Sequence, residues 1–333
     1  MTGPALLGPL ALIAVASAAG PRAPRGTHIG TADGRWQLNG TVTYPRAPAE
    51  GLLLNARMVN AVFEDRNRAD FGPEANADEF IAALPDYVRN GVRAFTLNLQ
   101  GGFPDYEGAL NSAFEADGSL RAEYVGRVER VIEACDQAGA AVILGCFYQR
   151  QDQALRDEAA VRHGVVNVVR WIAERGFTNV LLEIANEFGH GGFDHALLRS
   201  AEGQVELIDL ARRTAIEQGS PLLISTSGLG DARVGNRVAE ASDFLLVHLN
   251  STPLAEIPNR LGALRLLGKP IVVNEDDKLG EEAARAAELC VEAGASWGYM
   301  GFDVNQRFPF EFHGAADDPI VYRKLQELSS PRR

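Results

Sequence analysis

The chain has 333 residues, 46% hydrophobic and 23% charged, proportions that exclude a disordered or collagen-like polymer and supply a large core. Its 32 Lys and Arg against 44 Asp and Glu give a net charge of −12 with no basic run, which argues against nucleic acid as a partner. Three scattered cysteines, Cys135, Cys146 and Cys290, are too few for a disulfide framework or a zinc ribbon.

Residues 1–20 carry no charged side chain, and the apolar run from Ala5 to Ala19 ends in Ala16-Ser17-Ala18, the A-x-A form of a signal-peptidase site. The run is shorter than the roughly 20 apolar residues of a membrane span. It therefore reads as a signal peptide, although its start lacks Lys and Arg, and the expected location is secreted or periplasmic. No membrane association is expected beyond export.

Residues 21–50 form a Pro, Arg and Gly rich linker and a hairpin. The hairpin spans Asp33 to Tyr44, where strand formers flank turn residues. From 51 to 333, apolar runs bounded by turn signals occur eight times: Leu52 to Val59, Val92 to Leu99, Ala141 to Tyr148, Val180 to Asn186, Leu222 to Ser227, Phe244 to Asn250, Pro270 to Asn274 and Trp297 to Phe302. Helical spacing follows each, over Asp78 to Arg89, Arg121 to Gln137, Glu158 to Glu174, Gly203 to Glu217, Asn236 to Ala241, Pro258 to Leu267, Glu281 to Ala293 and Pro319 to Leu328. Six of these helices are followed by Gly91, Gly139, Gly176, Gly219, Gly268 or Gly294, where a helix C-cap wants a positive φ.

Strands separated by helices pair in parallel, because a parallel connection needs a long crossover. Eight such units predict an α/β fold, a closed (β/α)8 TIM barrel with an N-terminal β-hairpin extension. The competing open doubly wound sheet would want a Gly-rich phosphate turn after its first strand, and no G-x-G-x-x-G follows Leu52 to Val59.

In such a barrel, chemistry gathers at the carboxyl ends of the strands. The fourth strand ends in Asn186-Glu187 and the seventh in Asn274-Glu275, nearly across the mouth from each other. Two facing carboxyl groups suit glycosidic bond cleavage, one protonating the leaving oxygen and the other meeting the oxocarbenium-like carbon, about 5–5.5 Å apart in retaining enzymes. Glu183, four residues before Glu187 on the same strand face, is expected deeper in the barrel with a structural hydrogen-bond partner.

Leu182-Glu183-Ile184-Ala185-Asn186-Glu187, together with Gly268-Lys269-Pro270-Ile271 ahead of Glu275, resembles the retaining glycoside hydrolases of the large (β/α)8 clan that includes family 5 cellulases and mannanases. Trp36-Gln37-Leu38-Asn39-Gly40 resembles the hairpin that often precedes those barrels. The resemblance implies that Glu187 is the general acid/base, that Asn186 holds the sugar 2-hydroxyl and that Glu275 is the nucleophile. It implies an oligo- or polysaccharide substrate and no cofactor or metal. Three departures stand out. The second strand ends in amides, Asn98 and Gln100, where that clan places an arginine, so Arg57 on the first strand is the candidate for this role. His248-Leu249-Asn250 keeps a histidine and replaces a tyrosine by an amide. Met300 stands where a tryptophan platform is usual.

Further candidates surround this pair. Tyr148-Gln149-Arg150-Gln151-Asp152-Gln153 follows the third strand, and Tyr148 with its neighbours could hold sugar hydroxyls. Phe103, Tyr106, Phe188, Phe308, Phe310 and Phe312 lie in loops where rings could stack on a sugar. Trp297 reads as core. A metal-dependent barrel hydrolase or isomerase using His190, His195, Glu187 and Asp276 or Asp277 is the alternative of a different class, though its ligands lack a fixed spacing. A non-catalytic carbohydrate-binding barrel is the third reading, against which the glutamate pair argues.

Overall fold

The computed structural model describes residue 1 and residues 26–101 and 111–332. The leader, Met1 apart, and two of the loop aromatics, Phe103 and Tyr106, fall outside the described residues.

The described residues open with three short antiparallel strands, β1 (Ile29–Ala32), β2 (Arg35–Leu38) and β3 (Thr41–Val42). Asp33-Gly34 and Asn39-Gly40 turn the chain with positive φ at all four residues, which is what a two-residue type I′ hairpin needs. The expected hairpin is thus two successive hairpins. Its extra strand, β1, lies in a stretch too short to show alternation.

Eight parallel strands follow: β4 (Asn55–Arg57), β5 (Ala94–Asn98), β6 (Ala141–Phe147), β7 (Val180–Ala185), β8 (Leu223–Ser225), β9 (Leu245–His248), β10 (Ile271–Glu275) and β11 (Gly298–Tyr299). They pair in sequence order, and β11 pairs with β4. Single parallel bridges, Ser227 with Leu246 and Val272 with Ser296, join the remaining neighbours, so the barrel closes. The helices between them are α1 (Pro73–Arg89), α2 (Ala122–Gln137), α3 (Glu158–Arg175), the single turn α4 (Ala196–Arg199), α5 (Ala201–Glu217), α6 (Asn236–Ala241), α7 (Ile257–Arg265), α8 (Gly280–Glu292) and α9 (Pro319–Ser329). All six of the stop glycines adopt positive φ. Helix α1 starts five residues ahead of its apolar periodicity because Pro73 stands in its first turn, where a missing N–H costs nothing. Among the described residues, no helix is long and apolar enough to cross a membrane.

The barrel lumen changes character along its axis. At the amino end, Leu53, Ala141, Ile143, Leu181, Phe244 and Leu246 make an apolar layer that includes Trp36 and Ile29 of the N-terminal sheet. The sheet is tied to this end by Ile29 N–H donating to Thr178 O at 2.9 Å, and the Trp36 ring meets Phe244 edge-on at 5.5 Å. It therefore plugs the bottom of the barrel. Nearer the carboxyl end, Asn55, Thr96, Asn98, Glu183, Ser225 and Asn274 make the lumen polar, although all are buried. Glycine makes room for two of them: a Cβ on Gly145 would stand 2.4 Å from Asn98 Oδ1, and one on Gly298 2.0 Å from Asn55 Oδ1.

Removing the plug's largest side chain should be costly and leave the far end of the barrel alone. Trp36→Ala is expected to lose about 3–5 kcal/mol in urea unfolding, as large aromatic truncations in a core do. A loss under about 1 kcal/mol contradicts the plug.

Candidate active site

Two carboxylates converge at the carboxyl end of the barrel, and each is brought there by a local break in strand geometry. In β10 the pairing with β9 runs Val273 to Val247 and then Glu275 to His248, so Asn274 is an extra, bulged residue. A bulge lets consecutive side chains leave the alternation of a strand. Asn274 faces the lumen beside Glu183, while Glu275 reaches the mouth. Glu187 follows β7 with φ +51, a left-handed conformation that costs a non-glycine residue roughly 1–2 kcal/mol. Ser227 Oγ accepts its backbone N–H at 2.9 Å and holds the turn.

Arg57, from β4 and 1% exposed, binds both sides of the mouth. Its Nε lies 2.9 Å from Glu275 Oε2, and its Nη2 donates to Asn186 Oδ1 at 2.7 Å. His248 stands between the carboxylates, with Nδ1 3.2 Å from Glu187 Oε1 and 3.5 Å from Glu275 Oε2. Asn250 Nδ2 donates to Glu275 Oε1. On the other side, Gln149 Nε2 lies 3.5 Å from Glu187 Oε2, and Gln149 Oε1 accepts from Asn186 Nδ2 at 3.1 Å. Tyr148 is within electrostatic reach of Arg57, Glu275 and Glu187. The side chains of Glu187 and Glu275 expose 14% and 9% of their surface, so a substrate entering from the mouth can touch both.

The charges are unequal. Burial pushes the Glu275 carboxyl up, but Arg57, His248 and Asn250 together outweigh it and hold Glu275 below the ordinary carboxylate value. Burial pulls His248 down, and Glu275 and Glu187 outweigh that, leaving the imidazole above its ordinary value. Arg57 forms its ion pair with Glu275 and not with Glu187, so the cation's stabilisation falls on Glu275.

The structure therefore brings together Glu187, Glu275, Asn186, Arg57, His248 and Asn250, with Tyr148 beside them. Gln100 and Asn98 stand apart. Gln100 Nε2 donates to Ser112 Oγ and Gln151 O, and its Oε1 accepts from Tyr148 N–H, so the amide ties loops together. Asn98 lies deeper, over Gly145. Phe310 and Phe312 are core side chains, Phe188 is partly buried against the core, and Phe308 is 41% exposed with the Arg68 guanidinium over its ring. Trp297 is buried, and its Nε1 donates to Asp276 at 2.9 Å; Met300 is buried as well. The three cysteines are buried and unpaired. Gln149 and Ser227 are site residues that strand-end reasoning passed over. Gln149 lay in a polar run whose members could not be ranked, and Ser227 differs in no visible way from Ser225 or Thr226.

The ligand set of the metal alternative does not assemble. His195 Nδ1 is bound to Asp152 at 2.8 Å, His190 Nδ1 accepts from Gly192 N–H, and Asp276 is paired with Lys278 at 2.8 Å. Among the described residues, the one cluster within metal-ligand reach is Glu187, His248 and Glu275, whose ligand atoms lie within 4.8 Å of one another. The Arg57 cation already touches that cluster, which suits an acid–base pair better than a cation nest.

By sequence, no protein-family model and no curated protein matches the chain. Solved structures do. A GH5-4 broad-specificity endoglucanase from Clostridium longisporum has a TM-score of 0.60 at 10% identity, over 83% of this chain and 97% of that one. ZgEngAGH5_4 in complex with a cellotriose gives 0.57 at 15%, over 85% and 98%. An endo-1,4-beta-mannanase from Eisenia fetida gives 0.58 at 14%, over 92% and 96%. The chain has the barrel fold of family 5 glycoside hydrolases. At such identities the likeness establishes the fold, and the roles of individual residues rest on the site's own geometry.

That geometry makes stability depend on pH with a definite sign. A carboxyl depressed in the folded state contributes stability that is present above its unfolded pKa and lost as pH falls through its folded pKa. The stability gap between wild type and Glu275→Gln, measured by urea unfolding, should therefore narrow as pH drops from neutral through the acid range below about 4.3, the ordinary glutamate value. A gap that stays constant contradicts an ionised Glu275 paired with Arg57.

Proposed function

We propose that the protein is a retaining glycoside hydrolase that cleaves O-glycosidic bonds of an oligo- or polysaccharide by double displacement. The observation that carries this reading is the convergence of Glu187 and Glu275 within 4.8 Å, with the Arg57 cation bonded to only one of them. Carboxylate oxygens that close support a retaining reaction, since an inverting pair of carboxyl groups stands about 6.5–9.5 Å apart to admit a water.

In the first step, a Glu275 oxygen attacks the anomeric carbon while the bond to the leaving oxygen breaks and Glu187 donates its proton to that oxygen. In the second, Glu187 takes a proton from water, the water oxygen bonds to the anomeric carbon, and the Glu275 carboxylate departs. No cofactor enters either step. Arg57 keeps the nucleophile ionised, and Asn250 and His248 fix its orientation. Asn186 uses one amide N–H on Gln149, which leaves the other for a sugar hydroxyl. An open groove of about 550 Å³ begins at Asn250 and is lined by Ser251, Thr252, Asp277, Lys278 and Glu282, polar groups suited to further hydroxyls. The apolar run within residues 1–20 supports a secreted or periplasmic location, which N-terminal sequencing of exported protein checks.

A panel of aryl glycosides, cello-oligosaccharides and manno-oligosaccharides is the appropriate screen, since similar folds carry endoglucanase and mannanase names. On an active substrate, Glu187→Ala should lose about 10²–10⁴-fold in kcat, the usual worth of general acid–base assistance. Azide should restore turnover of Glu187→Ala on an aryl glycoside with a good leaving group, giving a glycosyl azide of retained configuration. Glu275→Ala should be inactive with or without azide at retained configuration. Unchanged turnover in either variant contradicts the assignment.

A further inference from the structure

Beneath the catalytic pair lies a third carboxyl group to which the reaction as written gives no part. Glu183 sits in the middle of β7, level with Gly145 on β6 and Ser225 on β8, and is wholly buried. Among the described residues its Oε1 makes no hydrogen bond of good geometry, its Oε2 lies 3.5 Å from Asn274 Nδ2, and the Ser227 hydroxyl stands close enough to favour the ionised carboxylate. Burial raises its carboxyl above the ordinary value, and the nearby cations His248 and Arg57 only partly oppose this, both being bonded to the catalytic pair above.

Asn274 is the bulged residue that aims Glu275 at the mouth, and a bulge has to be held because its residues leave the ladder. Two lumen side chains hold it. Asn55 Nδ2 donates to Val273 O at 3.0 Å, capping the carbonyl just before the bulge. Glu183 touches the bulged side chain itself, and among the described residues that is the one hydrogen bond the Asn274 amide makes. Asn274 Oδ1 is likewise buried without a partner. A glutamate that served only as a carboxylate would be badly placed here, since an uncompensated charge in a dry lumen is expensive. A neutral carboxyl group instead offers one acceptor and one donor to the amide-rich layer of Asn98 and Asn274.

We propose that Glu183 is a positioning residue: its buried carboxyl group holds the Asn274 bulge by a hydrogen bond and thereby sets the distance of the Glu275 carboxylate from Arg57. The kinetic part of this inference rests on Glu275 being the nucleophile, while the positional part does not. The groups facing Glu275 are Arg57 from β4, Tyr148 after β6, Glu183 from β7, Glu187 after β7, and His248 from β9, with Asp276, Asp277 and Lys278 on its own segment.

The test compares Glu183→Gln, which keeps a neutral donor and acceptor, with Glu183→Leu, which keeps only bulk. Two readouts are taken: kcat and KM on the best aryl glycoside, and the titration of Glu275 followed by NMR of carboxyl-labelled glutamate. Glu183→Leu should lower kcat about 10–100-fold, the scale of a misplacement near 1 Å, with KM changed less than about threefold. Its Glu275 midpoint should rise by at least about 0.5 pH unit as the carboxylate slips from Arg57. Glu183→Gln should restore both to within about threefold and about 0.2 pH unit of wild type. Should Glu183→Leu unfold, Asn274→Ala breaks the same contact and is read in the same way. Glu183→Gln as impaired as Glu183→Leu, or Glu183→Leu with the wild-type kcat and midpoint, overturns the inference. A fully active Glu275→Ala overturns the proposed reaction instead, and the NMR midpoints still decide whether Glu183 positions Glu275.

Discussion

A guanidinium buried in the mouth of a barrel is the constraint on which the rest depends. Arg57 is almost without solvent, and a cation so placed is tolerable only with an anion against it and acceptors around it. Glu275 supplies the anion and Asn186 the acceptor. These contacts reach from β4 to the ends of β7 and β10, so one side chain fixes three parts of the barrel relative to each other. His248 then fills the space between the two glutamates, within reach of both. An unpaired Arg57 would be costly to the fold, and burial would push an unpaired Glu275 toward its neutral form, away from the nucleophile's part proposed for it. Stability and chemistry are thus coupled through one contact.

Both glutamates reach the mouth by departing from regular strand geometry. Glu187 does so with a left-handed backbone held by Ser227, and Glu275 with the bulge at Asn274. Departures of this kind persist only where the surroundings over-determine them. The lumen provides that support. Its lower layer is apolar and closed by Trp36, while its upper layer is a set of amides and one carboxyl group that glycines at 145 and 298 allow to approach the barrel wall.

Much of this was legible in the sequence. The eight apolar runs between glycine-terminated helical stretches are the eight strands, because a closed parallel barrel needs short buried strands and helix stops that only glycine makes cheaply. Asn186-Glu187 and Glu275 stood out because polar residues abruptly ended apolar runs. What escaped was everything set by three-dimensional contact. Period-two alternation cannot register a bulge, so Asn274 read as an ordinary last strand residue. Gln100 and Gln149 carry the same amide at neighbouring strand ends, yet one ties loops and the other bonds Asn186 and Glu187, a difference that arises only when strands are placed side by side. The first strand of the N-terminal sheet was missed because Ile29–Ala32 has one large apolar residue among four.

The proposed reaction needs Glu275 as its nucleophile and Glu187 as its proton partner. Incubation with a 2,4-dinitrophenyl 2-deoxy-2-fluoro-β-glycoside of the preferred sugar, followed by peptide mass spectrometry, tests it most directly, because the fluorine slows release of the glycosyl intermediate more than its formation. One fluorosugar attached to Glu275 is the expected product. Attachment to Glu187, or turnover of natural substrate by a protein that never acquires a covalent sugar, would contradict it.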